Sequence, residues 1–110
     1  MEWELHYFNF SGESAYSETA YPHPAIILKI IEGTTMAIVI PLTSKVDKSY
    51  LPFTVLIKSS SENGLKQDSL AEIFQLRSID LRRIKSEAIG NVDELKRDEI
   101  KHIIKSMLDL

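Results

Sequence analysis

The chain has 110 residues, 44% of them apolar and 26% charged, with a mean hydropathy of −0.09. Those values fit one soluble globular domain spanning residues 1–110. They exclude a bilayer-spanning segment, since no apolar run approaches the roughly 20 residues that a helix needs to cross. Cysteine is absent, so disulfides, thiol catalysis and cysteine-type zinc sites are excluded. The opening Met1-Glu2-Trp3-Glu4 lacks the basic region of a secretory signal, and a cytoplasmic location is the expectation. The net charge of −3 hides an asymmetry: the first 28 residues hold Glu2, Glu4, Glu13 and Glu18 with no Lys or Arg, and the rest is nearly neutral. Any nucleic-acid contact must then be local, because the basic excess of a dedicated nucleic-acid coat is missing.

In chain order, residues 3–10 alternate with period two, placing Trp3, Leu5 and Tyr7 on one face and His6, Phe8 and Phe10 on the other. That pattern predicts a strand covered on both sides. Residues 11–22 are small, polar and aromatic without periodicity, which predicts a long loop. Ala25–Ile31 and Met36–Leu42 are β-branched runs joined by Glu32-Gly33-Thr34, and together they predict a hairpin. Pro41 is expected to end or bend the second strand, because proline cannot donate to a ladder. A polar loop over 43–51 follows, then an alternating strand from Phe53 to Lys58 with Phe53, Val55 and Ile57 on one face, and a turn over 59–64. Leu70 to Ile79 is strand-like, although Leu70-Ala71-Glu72-Ile73-Phe74 also tolerates helix, and a short helical turn is expected after Asp80. Ile100, Ile103, Ile104, Met107 and Leu108 recur at helical spacing, with Lys96, Arg97, Lys101 and Lys105 opposite them. Asn91 or Asp93 would cap that helix. The order predicts an antiparallel barrel or partly open sheet with a terminal helix laid on it.

Five collinear blocks resemble the MazF/PemK family of type II toxin–antitoxin toxins. They are Pro24-Ala-Ile-Ile-Leu28, Ala37-Ile-Val-Ile-Pro-Leu-Thr-Ser-Lys45, Leu51-Pro-Phe-Thr-Val-Leu-Ile57, Gly64-Leu-Lys-Gln-Asp-Ser69 and Gln75-Leu-Arg-Ser-Ile-Asp80. The resemblance covers residues 22–110. It implies a small antiparallel SH3-like or CcdB-like barrel with a C-terminal helix. It also implies a homodimer held in check by a cognate antitoxin, and a sequence-selective, metal-independent endoribonuclease acting on single-stranded RNA (an mRNA interferase). Two departures stand out. The family's opening Gly-Asp is missing, and the family's catalytic Arg-Pro falls on His23-Pro24.

The family's reaction, attack of a ribose 2′-OH on the adjacent phosphate, needs a base, an acid and donors for the developing charge. The resemblance assigns the hydroxyl partner to Thr43. Histidine is a better acid or base than arginine near neutrality. It lacks the planar fork that grips phosphate. The expectation is therefore catalysis by His23 and Thr43, with Lys45 neutralising phosphate. RNA contacts are expected from Tyr16, Glu18 and Tyr21 in the long loop, where the tyrosines can stack on unpaired bases. The alternative is a catalytically inactive binding or regulatory protein of the same fold. A gyrase poison ranks last, because the chain ends Leu108-Asp-Leu110 where such relatives depend on Trp-Gly-Ile. Gln75, Arg77 and Asp80 read as structural hydrogen-bond or ion-pair residues. Three scattered histidines with no carboxylate at ligand spacing offer no metal site. No glycine-rich phosphate loop or Rossmann fingerprint is present, so no nucleotide cofactor is expected.

Overall fold

The computed structural model describes residues 1–10 and 22–110. Seven strands form one sheet: β1 (Glu4–Phe8), β2 (His23–Ile30), β3 (Met36–Thr43), β4 (Thr54–Ile57), β5 (Ser69–Glu72), β6 (Arg77–Asp80) and β7 (Gly90–Asn91). Among the described residues there is a single α-helix, α1 (Glu94–Leu108), near the C-terminal end. All pairings are antiparallel, in the order β4-β5-β3-β2-β1-β7, with β6 also on β3. Beyond β6 the chain lies along β1: Asn9 N–H donates to Arg83 O, Lys85 N–H to Tyr7 O, and Ile89 N–H to Leu5 O. That return curls the sheet into a half-barrel.

The alternation in residues 3–10 holds, and it splits the core in two. Leu5 joins Ile26, Ile40, Leu42, Val55, Ile57 and Ile100 under α1. Phe8 and Phe10 pack inside the curl with Ala25, Ile27, Ala37, Val39 and Ile79. Burying apolar side chains on both faces removes them from water and is the dominant stabilising term. Helix α1 starts where Asp93 accepts from Lys96 N–H, relieving one orphan donor of the first turn. Its basic side is not simply a solvated face: the Arg97 guanidinium and the Lys101 ammonium each sit 5.8 Å from the centre of the Trp3 ring. This cation–π contact fixes the helix against the start of β1.

Three expectations change. Pro41 does not end its strand; β3 runs on to Thr43. The residues before Pro41 pair with β6 and those after it with β5. A residue without an N–H thus stands where the ladder on that side is already interrupted. The single strand-like stretch from Leu70 to Ile79 is two strands, separated by a 3-10 turn at Ile73–Gln75 that carries the chain from one half of β3 to the other. Phe53 does not share a face with Val55 and Ile57: its φ of 58° lies in the left-handed region, and β4 starts one residue later. The turn after Asp80 forms at Leu81–Arg83, capped by the Asp80 carboxylate. Strand β7 carries too little apolar pattern to be read from two residues. Among the described residues, no helix is long and apolar enough to cross a membrane.

Candidate functional site

The site is assembled at one end of the curl, where β2 begins and β3 ends. Ala25 pairs with Pro41 and Ile26 with Ile40, and that register carried two residues further sets His23 level with Thr43. Both fall on the face that holds Phe8 and Phe10, because side chains alternate along a strand. Proline on either side of His23 narrows its backbone freedom. The half-buried imidazole presents an edge to the Phe10 ring, with centroids 6.4 Å apart and planes at 60°. Phe10 is fully buried, so it is a fixed wall rather than a mobile flap.

Thr43 Oγ1 accepts a hydrogen bond from Lys45 N–H at 3.2 Å. A hydroxyl used as an acceptor keeps its own O–H as a donor. The same turn holds Lys45 beside the site with its side chain exposed. Burial pushes the His23 imidazole below 6.5, the nearby Glu72 carboxylate opposes that shift, and the Lys45 charge adds to it. Burial and the Lys45 charge thus favour the neutral imidazole more than in a free histidine.

Two groups here were not read as site residues from the sequence. Glu72 ends β5, pairs with Thr54, and is only 8% exposed. Its single signal is a carboxylate inside the apolar run Leu70-Ala71-Glu72-Ile73-Phe74. Arg77 opens β6, and its guanidinium lies 5.9 Å from the centre of the Phe10 ring. It donates from Nε to Gln75 O at 3.1 Å and from Nη2 to Gln75 Oε1 at 2.7 Å. Gln75 and Arg77 thus do make the hydrogen bond expected of them, and His23 and Arg77 both lie near the Phe10 ring. Asp80 is engaged away from the site, accepting from Arg82 Nη2 at 2.7 Å and from Thr35 Oγ1 at 3.1 Å. Its carboxyl is held well below the usual carboxylate range by those donors, Arg82 first.

The expected base-contacting residues Tyr16, Glu18 and Tyr21 lie outside the described residues. Beside His23 opens a cleft of about 210 Å³ whose lining includes Tyr7, Pro24, Leu42, Ser44, Gln67 and Ser69. Among the described residues, no group of three or more His, Asp or Glu side chains could hold a metal ion.

A small curled antiparallel sheet with a C-terminal helix has clear counterparts among solved structures. MazF (Form-I) from Deinococcus radiodurans superposes with a TM-score of 0.78 at 20% identity, covering 99% of this chain and 96% of that one. The Mycobacterium tuberculosis toxin MazF-mt6 gives 0.73 at 20% identity, covering 97% of each chain. A mycobacterial protein described as an endoribonuclease in complex with its cognate antitoxin gives 0.73 at 12% identity, covering 100% of this chain and 95% of that one. At these identities the likeness establishes the fold. A search of curated protein sequences returns no match. The model of the PemK-like, MazF-like toxins of type II toxin–antitoxin systems matches residues 2–108, and the chain belongs to that family.

Proposed function

We propose that this toxin is an endoribonuclease that cleaves single-stranded RNA by attack of a ribose 2′-OH on the adjacent phosphate, using its own side chains rather than a metal. The observation that carries the reading is the placement of His23 level with Thr43 on neighbouring strands, with the Lys45 charge acting on the imidazole. His23 exchanges a proton with the reacting oxygens. Thr43 donates its hydroxyl hydrogen to the charge that develops on phosphate. Lys45, exposed and one turn away, meets the incoming phosphodiester as a point charge. Histidine in place of the family's arginine trades bidentate phosphate grip for proton transfer near neutrality.

The partners of this reading are RNA, a cognate antitoxin and a second copy of the chain. Antitoxin complexes among the similar solved structures support the second. Support for protein partners also comes from the edge strand β4 and its surroundings, where Tyr50, Phe53, Leu56 and Phe74 are exposed.

The test is incubation of purified protein with a long single-stranded RNA in EDTA, followed by mapping of fragment ends. Discrete fragments with 2′,3′-cyclic phosphate and 5′-hydroxyl ends are expected from the wild type. Thr43→Ala should slow their appearance about 100-fold, the usual effect of losing one donor to a developing oxyanion. Cleavage that requires a divalent cation, or no cleavage by folded protein, would contradict the proposal.

A further inference from the structure

Glu72 is a buried carboxylate whose charge acts on the His23 imidazole. It closes a four-residue strand in which every residue is buried. Taking a carboxylate out of water costs several kcal/mol unless the surroundings compensate. The residue stands at the start of the Ile73–Gln75 turn, yet its side chain makes no capping hydrogen bond there.

Its position points to the site instead. Leu42 pairs with Ala71 and Thr43 with Leu70, so continuing the register brings Glu72 level with Pro41. Directly opposite residues share a face, and residues two apart on a strand share it too. Glu72, Pro41, Thr43 and His23 therefore lie on one face of three adjacent strands, β5, β3 and β2. Among the described residues, Glu72 from β5 and Lys45 from the turn after β3 act on the imidazole, and Arg77 from β6 lies against the same Phe10 ring.

We propose that Glu72 is the general base of this site and His23 its general acid, an inference that rests on the ribonuclease reading above. The carboxylate removes the proton from the ribose 2′-OH, and the 2′ oxygen forms its bond to phosphorus. The P–O5′ bond breaks, and the imidazolium gives its proton to the departing 5′ oxygen. The products are a 2′,3′-cyclic phosphate and a 5′-hydroxyl, leaving Glu72 protonated and His23 neutral. Exchange with solvent restores both. The roles follow from the ordinary order of the two groups, since a carboxylate ionises well below an imidazole. In the pH interval between them the base is free and the acid is loaded. Arginine on the same strand position could not release a proton near neutrality. The substitution that removes arginine thus gives the buried carboxylate a workable partner.

The experiment compares two RNA substrates, one natural and one carrying sulfur in place of the 5′ bridging oxygen at the cleaved bond. A thiolate leaves without a proton, so the second substrate needs no general acid. His23→Ala should lose at least about 100-fold in kcat/KM on the natural RNA and recover most of it on the sulfur substrate. Glu72→Gln should lose a similar factor on both. Sulfur rescue of Glu72→Gln, or a wild-type rate in that variant, overturns the assignment while the ribonuclease reading stands. Wild-type protein that cleaves neither substrate overturns the ribonuclease reading and the assignment with it.

A readout without RNA tests the pairing itself. NMR titration of His23 in Glu72→Gln should give a lower imidazole pKa than wild type, because the carboxylate that raises it is gone. An unchanged value contradicts the closeness of the pair. Should the glutamine variant not fold, the wild-type pH profile decides: a bell is expected, and a rate that keeps climbing toward low pH overturns the carboxylate base.

Discussion

At His23 the local environment sets the working range of the proposed chemistry. Burial lowers the imidazole pKa below 6.5, against the Glu72 charge and with the Lys45 charge. A group that must donate a proton is competent only below its pKa, so the rate is expected to fall as pH rises through a value on the acid side of 6.5. His23→Arg should remove that limb together with most of the rate, because arginine stays protonated and does not release its proton near neutrality, and kcat/KM measured from pH 5 to 9 on both proteins checks it. The same shift acts on stability with the opposite sense. The folded protein holds the His23 proton less tightly than the unfolded chain, so this contribution is complete above 6.5 and is lost as pH falls below it. Asp80 acts in the same direction, in a more acidic range. Its carboxyl is depressed chiefly by Arg82, so its contribution is present above the ordinary carboxylate value and lost under stronger acid. Asp80→Asn should therefore narrow the difference in melting temperature between pH 3 and pH 7.

Among the elements, two glycines set how the curl is closed. Gly64 has a φ of 68°, and a Cβ there would collide with the carbonyl of Ile89. Gly90 faces the backbone of Glu62 and Asn63 just as closely. Two main chains touch where the 59–64 turn meets β7, and Asn91 N–H donates to Glu62 O at 3.0 Å across that contact. Gly33 also has a positive φ, but a Cβ there meets open space. Denaturant unfolding should show Gly33→Ala costing about 1 kcal/mol from backbone conformation alone. Gly64→Ala should cost more, about 2–4 kcal/mol, because strain and collision add. Equal losses in the two variants would contradict this account of the junction. In α1, Ile100 is fully buried while Leu95 is 81% exposed. Ile100→Ala should cost about 2–5 kcal/mol and Leu95→Ala less than about 0.5 kcal/mol.

These elements also show how far the sequence could be read. The alternation Trp3 to Phe10, the hairpin and the helix are local patterns, and a period of 2 or 3.6 is visible in one stretch of chain. Thr43 as partner to His23 comes from resemblance, and the register of β2 on β3, carried two residues past Ala25 and Pro41, sets the two level. Glu72 and Arg77 were not legible as site residues. Their approach to His23 depends on β3 exchanging one neighbour for another at Pro41 and on the corner at Ile73–Gln75. No periodicity encodes which of two strands will lie beside each half of a third.

For the whole molecule, charge is arranged against broad attraction of RNA. The chain carries a net −3, and its first 28 residues contain acidic groups only. Binding must draw on a few cations near the site, chiefly Lys45 and Arg77. With so few phosphates neutralised, log affinity plotted against log salt should have a shallow slope, of order −1 to −2. A steep slope would place RNA on a larger basic surface than this one. The apolar residues around edge strand β4 belong to protein partners in this account. Leu56→Lys should therefore weaken self-association in sedimentation while leaving the fold intact.

The central claim is that an imidazole performs proton transfer where the family has arginine. The most direct measurement is the rate of single-stranded RNA cleavage in EDTA from pH 5 to 9, with His23→Ala alongside. The account predicts a wild-type rate that falls above His23's pKa and a His23→Ala rate at least about 100-fold lower at the optimum. Cleavage that is flat to pH 9, or that survives intact in His23→Ala, would contradict it.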